Sequence, residues 1–471
     1  MKETKNNPRL IFIIIMDAVR PDHLSIYGYP RTTTPNLDKF LNDSIIFTDA
    51  SSTSSWTPPA HASLISGLYP HQHKCYGDNF KLTQGIRYLP EILKAKNYYT
   101  LAISLTPYLS EQTGYRELFS DFIELWKKRP SWGISSMIKS KLFNLFNGSD
   151  NKTFESIDLI KKWIKKTSSD TPKFVFVNLI TAHNPYKAPR KWNKKFLDEL
   201  PGNYNKEIVK RLRDSGGYEF LSGKISADET DWEAVKIFYD QEIAYLDFQL
   251  GELFKFLKKE NLFDPSEIFL LSDHGEIFGN HNLAYHTFGL YEELIKIPLI
   301  YKQRNSKGGA RSNKPVSIID IFPTILNSDK EFLNHDIHGY NLNKFQDIPD
   351  DRLRYFEFGK PGSIFKTIKK RNPDADISSL DYNFISVKKG NNKLLIKYKA
   401  EESLKFLYDI KADPGEEINL YTEKKEIASE LEVELNKVFE IRNKNSNPED
   451  SDLKKLGEKG LKKRLEDLGY L

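Results

Sequence analysis

Short, predominantly apolar runs rich in β-branched and aromatic residues recur along the chain at wide intervals. They are Ile11-Phe12-Ile13-Ile14-Ile15-Met16, Tyr99-Thr100-Leu101-Ala102-Ile103, Phe174-Val175-Phe176-Val177-Asn178-Leu179, Ile268-Phe269-Leu270-Leu271-Ser272 and Ile297-Pro298-Leu299-Ile300-Tyr301. Runs this short, without polar alternation, predict strands covered on both faces. Between them, apolar residues fall at helical spacing over Pro90 to Lys96, Phe154 to Lys166 and Val235 to Lys259. Alternating strands and helices predict an α/β fold over residues 1–350, with a large, mixed but mostly parallel sheet flanked by helices.

The pattern changes after about Asp350. Tyr382 to Val387 and Lys393 to Tyr398 predict two strands joined by the Lys388-Lys389-Gly390-Asn391-Asn392 hairpin. The Asp413-Pro414-Gly415 turn and a helix from about Lys425 to Arg442 follow, and the tail from Leu453 to Leu471 reads as a solvated, lysine-rich packing helix. Residues 351–471 therefore predict a small α+β subdomain. The polar stretches from about Trp126 to Lys152 and Lys187 to Thr230 read as irregular insertions that shape substrate access.

Composition adds exclusions. Of 471 residues, 39% are hydrophobic and 29% charged, as in ordinary globular proteins, and 70 − 65 = +5 is the net charge. So weak an excess gives no reason to expect nucleic acid. The single cysteine, Cys75, excludes an intramolecular disulfide and a thiolate metal cluster. The first apolar run is far shorter than the roughly 20 residues a bilayer span requires, and it ends in Asp17 rather than a cleavage site. The expectation is a cytoplasmic protein with neither signal peptide nor membrane span.

In parallel sheets the ligand crevice lies beyond the carboxyl ends of the strands, so polar residues just after the apolar runs are the candidates. Asp17 closes the first run; buried there, a carboxylate needs a cation or an ion pair, with Arg20 the nearest partner. In Ser55-Trp56-Thr57-Pro58-Pro59-Ala60-His61, the prolines mark a helix start with Thr57 at its cap. That is either plain capping or a hydroxyl held where the helix dipole favours negative charge. Leu270-Leu271-Ser272-Asp273-His274-Gly275 brings a carboxylate and an imidazole out at another strand end, and His281 and His286 follow closely. Aspartate with histidine suits Zn²⁺ or Mn²⁺, and an all-oxygen set suits Ca²⁺ or Mg²⁺. His183 ends a further strand, before Pro185.

Together these segments resemble the sulfatase branch of the alkaline phosphatase superfamily. The resemblance rests on Asp17-x-x-Arg20-x-Asp22, Thr34-Pro35-Asn36-Leu37-Asp38, Thr57-x-Pro59-x-His61-Ala62-Ser63-Leu64, His183-x-Pro185-Tyr186, Ser272-Asp273-His274-Gly275-Glu276 with Tyr291-Glu292-Glu293, and Leu407-Tyr408-Asp409 to Asn419-Leu420. It implies one divalent metal held by Asp17, Asp273, His274 and the nucleophile Thr57. It implies that His183 and His286 hold substrate oxygens, one of them protonating the leaving group. It places Asn79 and His61 as substrate contacts, His61 standing where sulfatases commonly carry an arginine that supports the nucleophile.

Two departures set the chemistry. Sulfatases oxidise a Cys or Ser to formylglycine at the nucleophile position; threonine cannot become that aldehyde, and Cys75 lies well past the motif. Ala18 stands where calcium-binding sulfatases usually have a second acidic ligand, which moves the expected metal to Mn²⁺ or Zn²⁺, with Ca²⁺ or Mg²⁺ as the alternatives. A similar threonine-centred set occurs in phosphoglycerol transferases and lipoteichoic acid synthases of the superfamily. The expected activity is hydrolysis of phosphate mono- or diesters of a small-molecule, glycan or lipid-headgroup alcohol through a Thr57 intermediate. The competing readings are a sulfuric ester hydrolase without formylglycine, a phosphoryl transferase and an inactive anion-binding protein.

Overall fold

The computed structural model describes residues 9–445, apart from 128–138, 140, 146–147, 149, 215–216, 287, 328–336 and 401. Its centre is a sheet of eight strands: β1 (Leu10–Met16), β2 (Ile45–Phe47), β3 (Tyr99–Ser104), β4 (Asp121–Glu124), β5 (Lys173–Leu179), β6 (Ser266–Leu271), β7 (Leu299–Lys302) and β8 (Ala310–Ser312). Their order across the sheet is β8-β2-β7-β6-β1-β5-β3-β4. β1 lies between β5 and β6 and is parallel to both; β7 runs antiparallel to β6 and β2.

The apolarity of β1 follows from its position. Phe12, Ile14 and Met16 pack on one face, with Ile157 and Ile160 of α2 (Thr153–Lys166) and Leu246, Leu250 and Leu253 of α3 (Glu229–Lys259). Ile11, Ile13 and Ile15 enter the opposite face, with Ala60, Leu64 and Ile65 of α1 (Thr57–Ser66). Successive side chains of a strand point to opposite faces, so a strand covered twice has no polar positions to spare.

A second, antiparallel sheet follows: β9 (Arg354–Phe358), β10 (Asn383–Lys389), β11 (Asn392–Lys399) and β12 (Glu402–Asp409), in that order. Ala428, Leu431, Leu435 and Val438 of α4 (Lys425–Asn445) cover Ile385, Val387, Leu394 and Leu407. A seam of ion pairs joins this sheet to the main body. Asp49 pairs with Arg354 at 2.8 Å and Lys388 at 3.3 Å, Glu292 with Lys388 at 3.1 Å and Lys393 at 3.3 Å, and Lys393 with Glu416 at 2.8 Å. Among the described residues no helix is long and apolar enough to cross a membrane.

The stretch expected to be irregular between Lys187 and Thr230 instead contains helices Lys206–Asp214 and Gly217–Leu221. The first pairs Val209 and Leu212 in the core with charge outside, an amphipathic pattern masked by its many lysines and arginines. Much of the Trp126 to Lys152 insertion and the whole Leu453 to Leu471 tail lie outside the described residues.

Candidate active site

The strand ends and the start of α1 bring the candidate residues together. Asp17 follows β1, and its N–H donates to Leu179 O on β5 at 3.0 Å. Ser272 ties β1 to β6, accepting from Val19 N at 3.0 Å and donating to Met16 O at 2.7 Å. Ala18 adopts φ +61°, turning the chain sharply away from the strand. Arg20 pairs with Asp22 at 2.6 Å and donates to Glu276 O, so it is not the partner of Asp17 that the sequence alone allowed.

His274 Nδ1 donates to Gly275 O at 2.9 Å, which aims Nε2 into the cluster. Nε2 lies 3.6 Å from Asp17 Oδ1, 3.5 Å from Asp273 Oδ2 and 3.3 Å from Thr57 Oγ1. All four residues are buried, and Asp17 Oδ1 and Asp273 Oδ2 have no hydrogen-bond partner among the described residues. One ligand atom from each of Asp17, Asp273 and His274 can be chosen so that all lie within 4.8 Å of one another. Carboxylate oxygens buried without donors call for a positive charge, and two carboxylates, an imidazole and a hydroxyl are donors a divalent cation accepts. The donor set therefore fits a metal.

Burial, then the charge on Asp273, pushes the Asp17 carboxyl up to about 8. Burial also opposes ionisation of Asp273, but His274 and His61 outweigh it and hold that carboxyl below its usual range. For His274, Asp273 and Asp17 overcome the opposing effect of burial and raise the imidazole.

His183 and His286 complete the cluster. Their ring centroids are 4.8 Å apart, and His286 stacks on His274 at 4.4 Å. His183 Nδ1 donates to Asn184 O at 2.7 Å, and His286 Nδ1 to the Glu276 carboxylate at 2.9 Å; in the neutral rings Nε2 is therefore the unprotonated nitrogen. Burial lowers both imidazoles, and His274 and His183 add to the effect on His286. Glu276 also accepts from Tyr186 OH at 2.9 Å.

Other expected positions behave differently. Trp56, not Thr57, is the cap of α1, and Thr57 is its first helical residue. Pro58 and Pro59 carry no N–H and Ala60 N is bonded to Trp56 O, so the first turn offers the amide of Thr57 rather than a ring of donors. His61 lies under the nucleophile position, with Nδ1 3.0 Å from Thr57 O and 3.4 Å from Asp273 Oδ2. Asn79 uses its side chain in its own turn, donating to Lys74 O and accepting from Lys81 N. His281 stands apart, stacked on Tyr291 at 3.6 Å. Cys75 is buried and free, and burial pushes its thiol up to about 12. Two contributors went unread in the sequence. Glu276 stands in the sequence only as a motif residue and Asn178 as a polar residue within the run Phe174–Leu179, and neither pattern names a partner.

A family model named Sulfatase matches residues 9–328. The chain belongs to the sulfatase family. Arylsulfatase K of Mus musculus is 22% identical to this sulfatase-family protein over 417 residues, covering 83% of this chain and 72% of that one. The phosphonate monoester hydrolase of Agrobacterium radiobacter superposes with a TM-score of 0.68 at 19% identity, covering 94% of this chain and 96% of that one. BT4656, in complex with its substrate D-glucosamine-2-N,6-O-disulfate, gives 0.70 at 17% identity, covering 94% of this chain and all of that one. The fold is thus that of sulfatases and alkaline phosphatases, and family membership makes the chain an ester-bond hydrolase of a metal-dependent kind.

Proposed function

We propose that this enzyme hydrolyses phosphate mono- or diesters with Thr57 as nucleophile. The reading is carried by one observation: an unmodifiable threonine hydroxyl stands 3.3 Å from His274 Nε2, against the two buried carboxylates. Asp17, Asp273, His274 and Thr57 would hold the divalent cation, Mn²⁺ or Zn²⁺ by donor type. When bound, such a cation supplies Lewis-acid charge stabilisation and acidifies a coordinated hydroxyl.

Thr57 Oγ1 gives up its proton to solvent and attacks phosphorus in line, and the Thr57 Oγ1–P bond forms as the bond to the ester oxygen breaks. His183 and His286 hold the equatorial oxygens. An approaching dianion restores the basicity that burial removes from these imidazoles, and Glu276 behind His286 favours the imidazolium there. His286 can then give its Nε2 proton to the departing alcohol. Water cleaves the phospho-threonine, releasing phosphate from a monoester substrate or a phosphate monoester from a diester, and regenerating the hydroxyl. His61, bonded beneath Thr57, supports the nucleophile rather than the substrate.

The second reading, a sulfuric ester hydrolase, draws on the names of arylsulfatase K and of the glucosamine disulfate complex. Its difficulty is chemical, since a threonine sulfate ester lacks the exit a formylglycine hydrate provides. Rates with p-nitrophenyl phosphate, bis-p-nitrophenyl phosphate and p-nitrophenyl sulfate, each with Mn²⁺, Zn²⁺ or Ca²⁺, separate the two. Turnover of the sulfate alone refutes the phosphoryl reading. Thr57→Ala should abolish turnover while the fold persists, and full activity in that variant would remove Thr57 as nucleophile.

A further inference from the structure

Strand β5 places Phe174, Phe176 and Asn178 on the sheet face that packs against α1. The first two belong to the apolar cluster there, and Phe176 meets the His61 ring at 5.9 Å. Asn178 interrupts this face although its side chain is wholly buried. Its Nδ2 donates to Asp17 Oδ2 at 3.0 Å, while its Oδ1 has no hydrogen-bond partner among the described residues. With Asp17 ionised, as a metal ligand is, the reverse amide orientation would set a carbonyl oxygen against a carboxylate, so in that state the donor faces Asp17.

An unsatisfied buried acceptor disfavours the fold, and leucine, similar in size, would continue the apolar surface without that defect. Packing alone therefore does not account for an asparagine here. The bond to Asp17 does. The parallel register sets Met16 opposite Leu179, and the Asp17 N–H is bonded to Leu179 O. The backbone of Asp17 is thus fixed, and the orientation of its carboxylate is what remains to be set. Occupying Oδ2 leaves Oδ1 directed at His274 Nε2, where Asp273 and Thr57 also converge.

We propose that Asn178 is a positioning residue for the cation site, acting by holding Asp17 Oδ2 so that Oδ1 is presented as the ligand. This rests on the metal-dependent reading of the cluster. Partners behind a metal ligand commonly contribute about 10–100-fold to metal affinity.

The test is Asn178→Leu, with metal-stripped wild type and variant titrated with Mn²⁺ by calorimetry and their metal-free forms compared by urea unfolding. The expected result is affinity reduced by about 10–100-fold with metal-free stability little changed, because losing the unsatisfied Asn178 Oδ1 offsets the donor that Asp17 Oδ2 loses. Equal affinities overturn the proposal. So does a loss of affinity accompanied by lower metal-free stability, since that is what a purely structural residue would give. Wild type that binds none of Mn²⁺, Zn²⁺ and Ca²⁺ overturns the metal reading and this proposal with it, an outcome distinct from equal binding by both proteins. If leucine prevents folding, Asn178→Ala adds no volume; because its cavity lowers stability whatever the role of Asn178, it is judged on metal affinity alone, and unchanged affinity overturns the proposal.

Discussion

Asp17→Asn isolates the electrostatics of the cluster. Two ionised carboxylates with oxygens within 4.8 Å repel by about 3 kcal/mol at an effective dielectric of about 20. The metal-free protein avoids this by keeping a proton on Asp17, whose carboxyl is pushed up to about 8 from an ordinary 3.8. In that window the folded state binds a proton the unfolded chain has released, so the contribution is full below the unfolded value and is lost as pH rises towards the folded one. The slope is about 1.4 kcal/mol per pH unit while the folded group stays protonated and the unfolded one is ionised. Between about pH 5 and pH 7, metal-free wild type should therefore lose about 3 kcal/mol relative to Asp17→Asn, which cannot ionise there. Urea unfolding of both proteins, stripped of metal, reads the difference, and titrating groups remote from the cluster cancel in it. Adding Mn²⁺ should stabilise wild type by displacing the proton and leave the variant largely unaffected. Parallel stability curves across that pH range, together with an equal response to metal, would refute the assignment of Asp17 to a shared cation site.

Two further predictions concern neighbouring groups. Glu276→Gln should lower kcat for alkyl phosphate esters by about 10²–10⁴-fold, because His286 loses the carboxylate that stabilises its imidazolium. A p-nitrophenyl ester, whose alcohol leaves without a proton, should suffer much less, and an equal loss on both substrates would argue against His286 as the acid. Lys388→Met should cost about 3 kcal/mol in urea unfolding near neutral pH, since Asp49 and Glu292 each keep one other cation. Burial opposes ionisation of Glu292, but Lys388 and Lys393 overcome this and hold it at about 2. Its share of the stability is present above its unfolded value of 4.5 and disappears as pH falls towards about 2, so wild type and variant should converge in acid.

The sequence located the sheet core because burial on both faces removes polar residues: β1, β3, β5, β6 and β7 all lie within a few residues of apolar runs. It missed β2, β4 and β8, which are four residues or fewer and lie towards the edges, where little apolar length is required. It could not give the reversed direction of β7, because a buried strand reads alike either way. In the C-terminal sheet the central hairpin was legible. The flanking Arg354–Phe358 and Glu402–Asp409 were not, because β12 begins with three exposed residues and β9 interleaves charges that serve the seam. At the site, the order of motifs brought forward Asp17, Thr57, His183, Asp273, His274 and His286, which converge. Glu276 and Asn178 act through other side chains, and their partners lie 10 and 161 positions away in the chain. Hydrophobic periodicity carries no trace of such pairs.

The ion-pair seam also bears on how chains of this family could be recombined. Its anions Asp49 and Glu292 come from the main body, and its cations Arg354, Lys388 and Lys393 from the C-terminal sheet. Without the C-terminal sheet, Asp49 and Glu292 lose the cations they pair with, and expression of residues 1–350 by themselves would open both carboxylates to water. A C-terminal sheet grafted from a relative must bring its own cations in register with Asp49 and Glu292. Without them, the segment from Tyr291 to Glu293 that packs against Gly275, next to His274, loses its anchor.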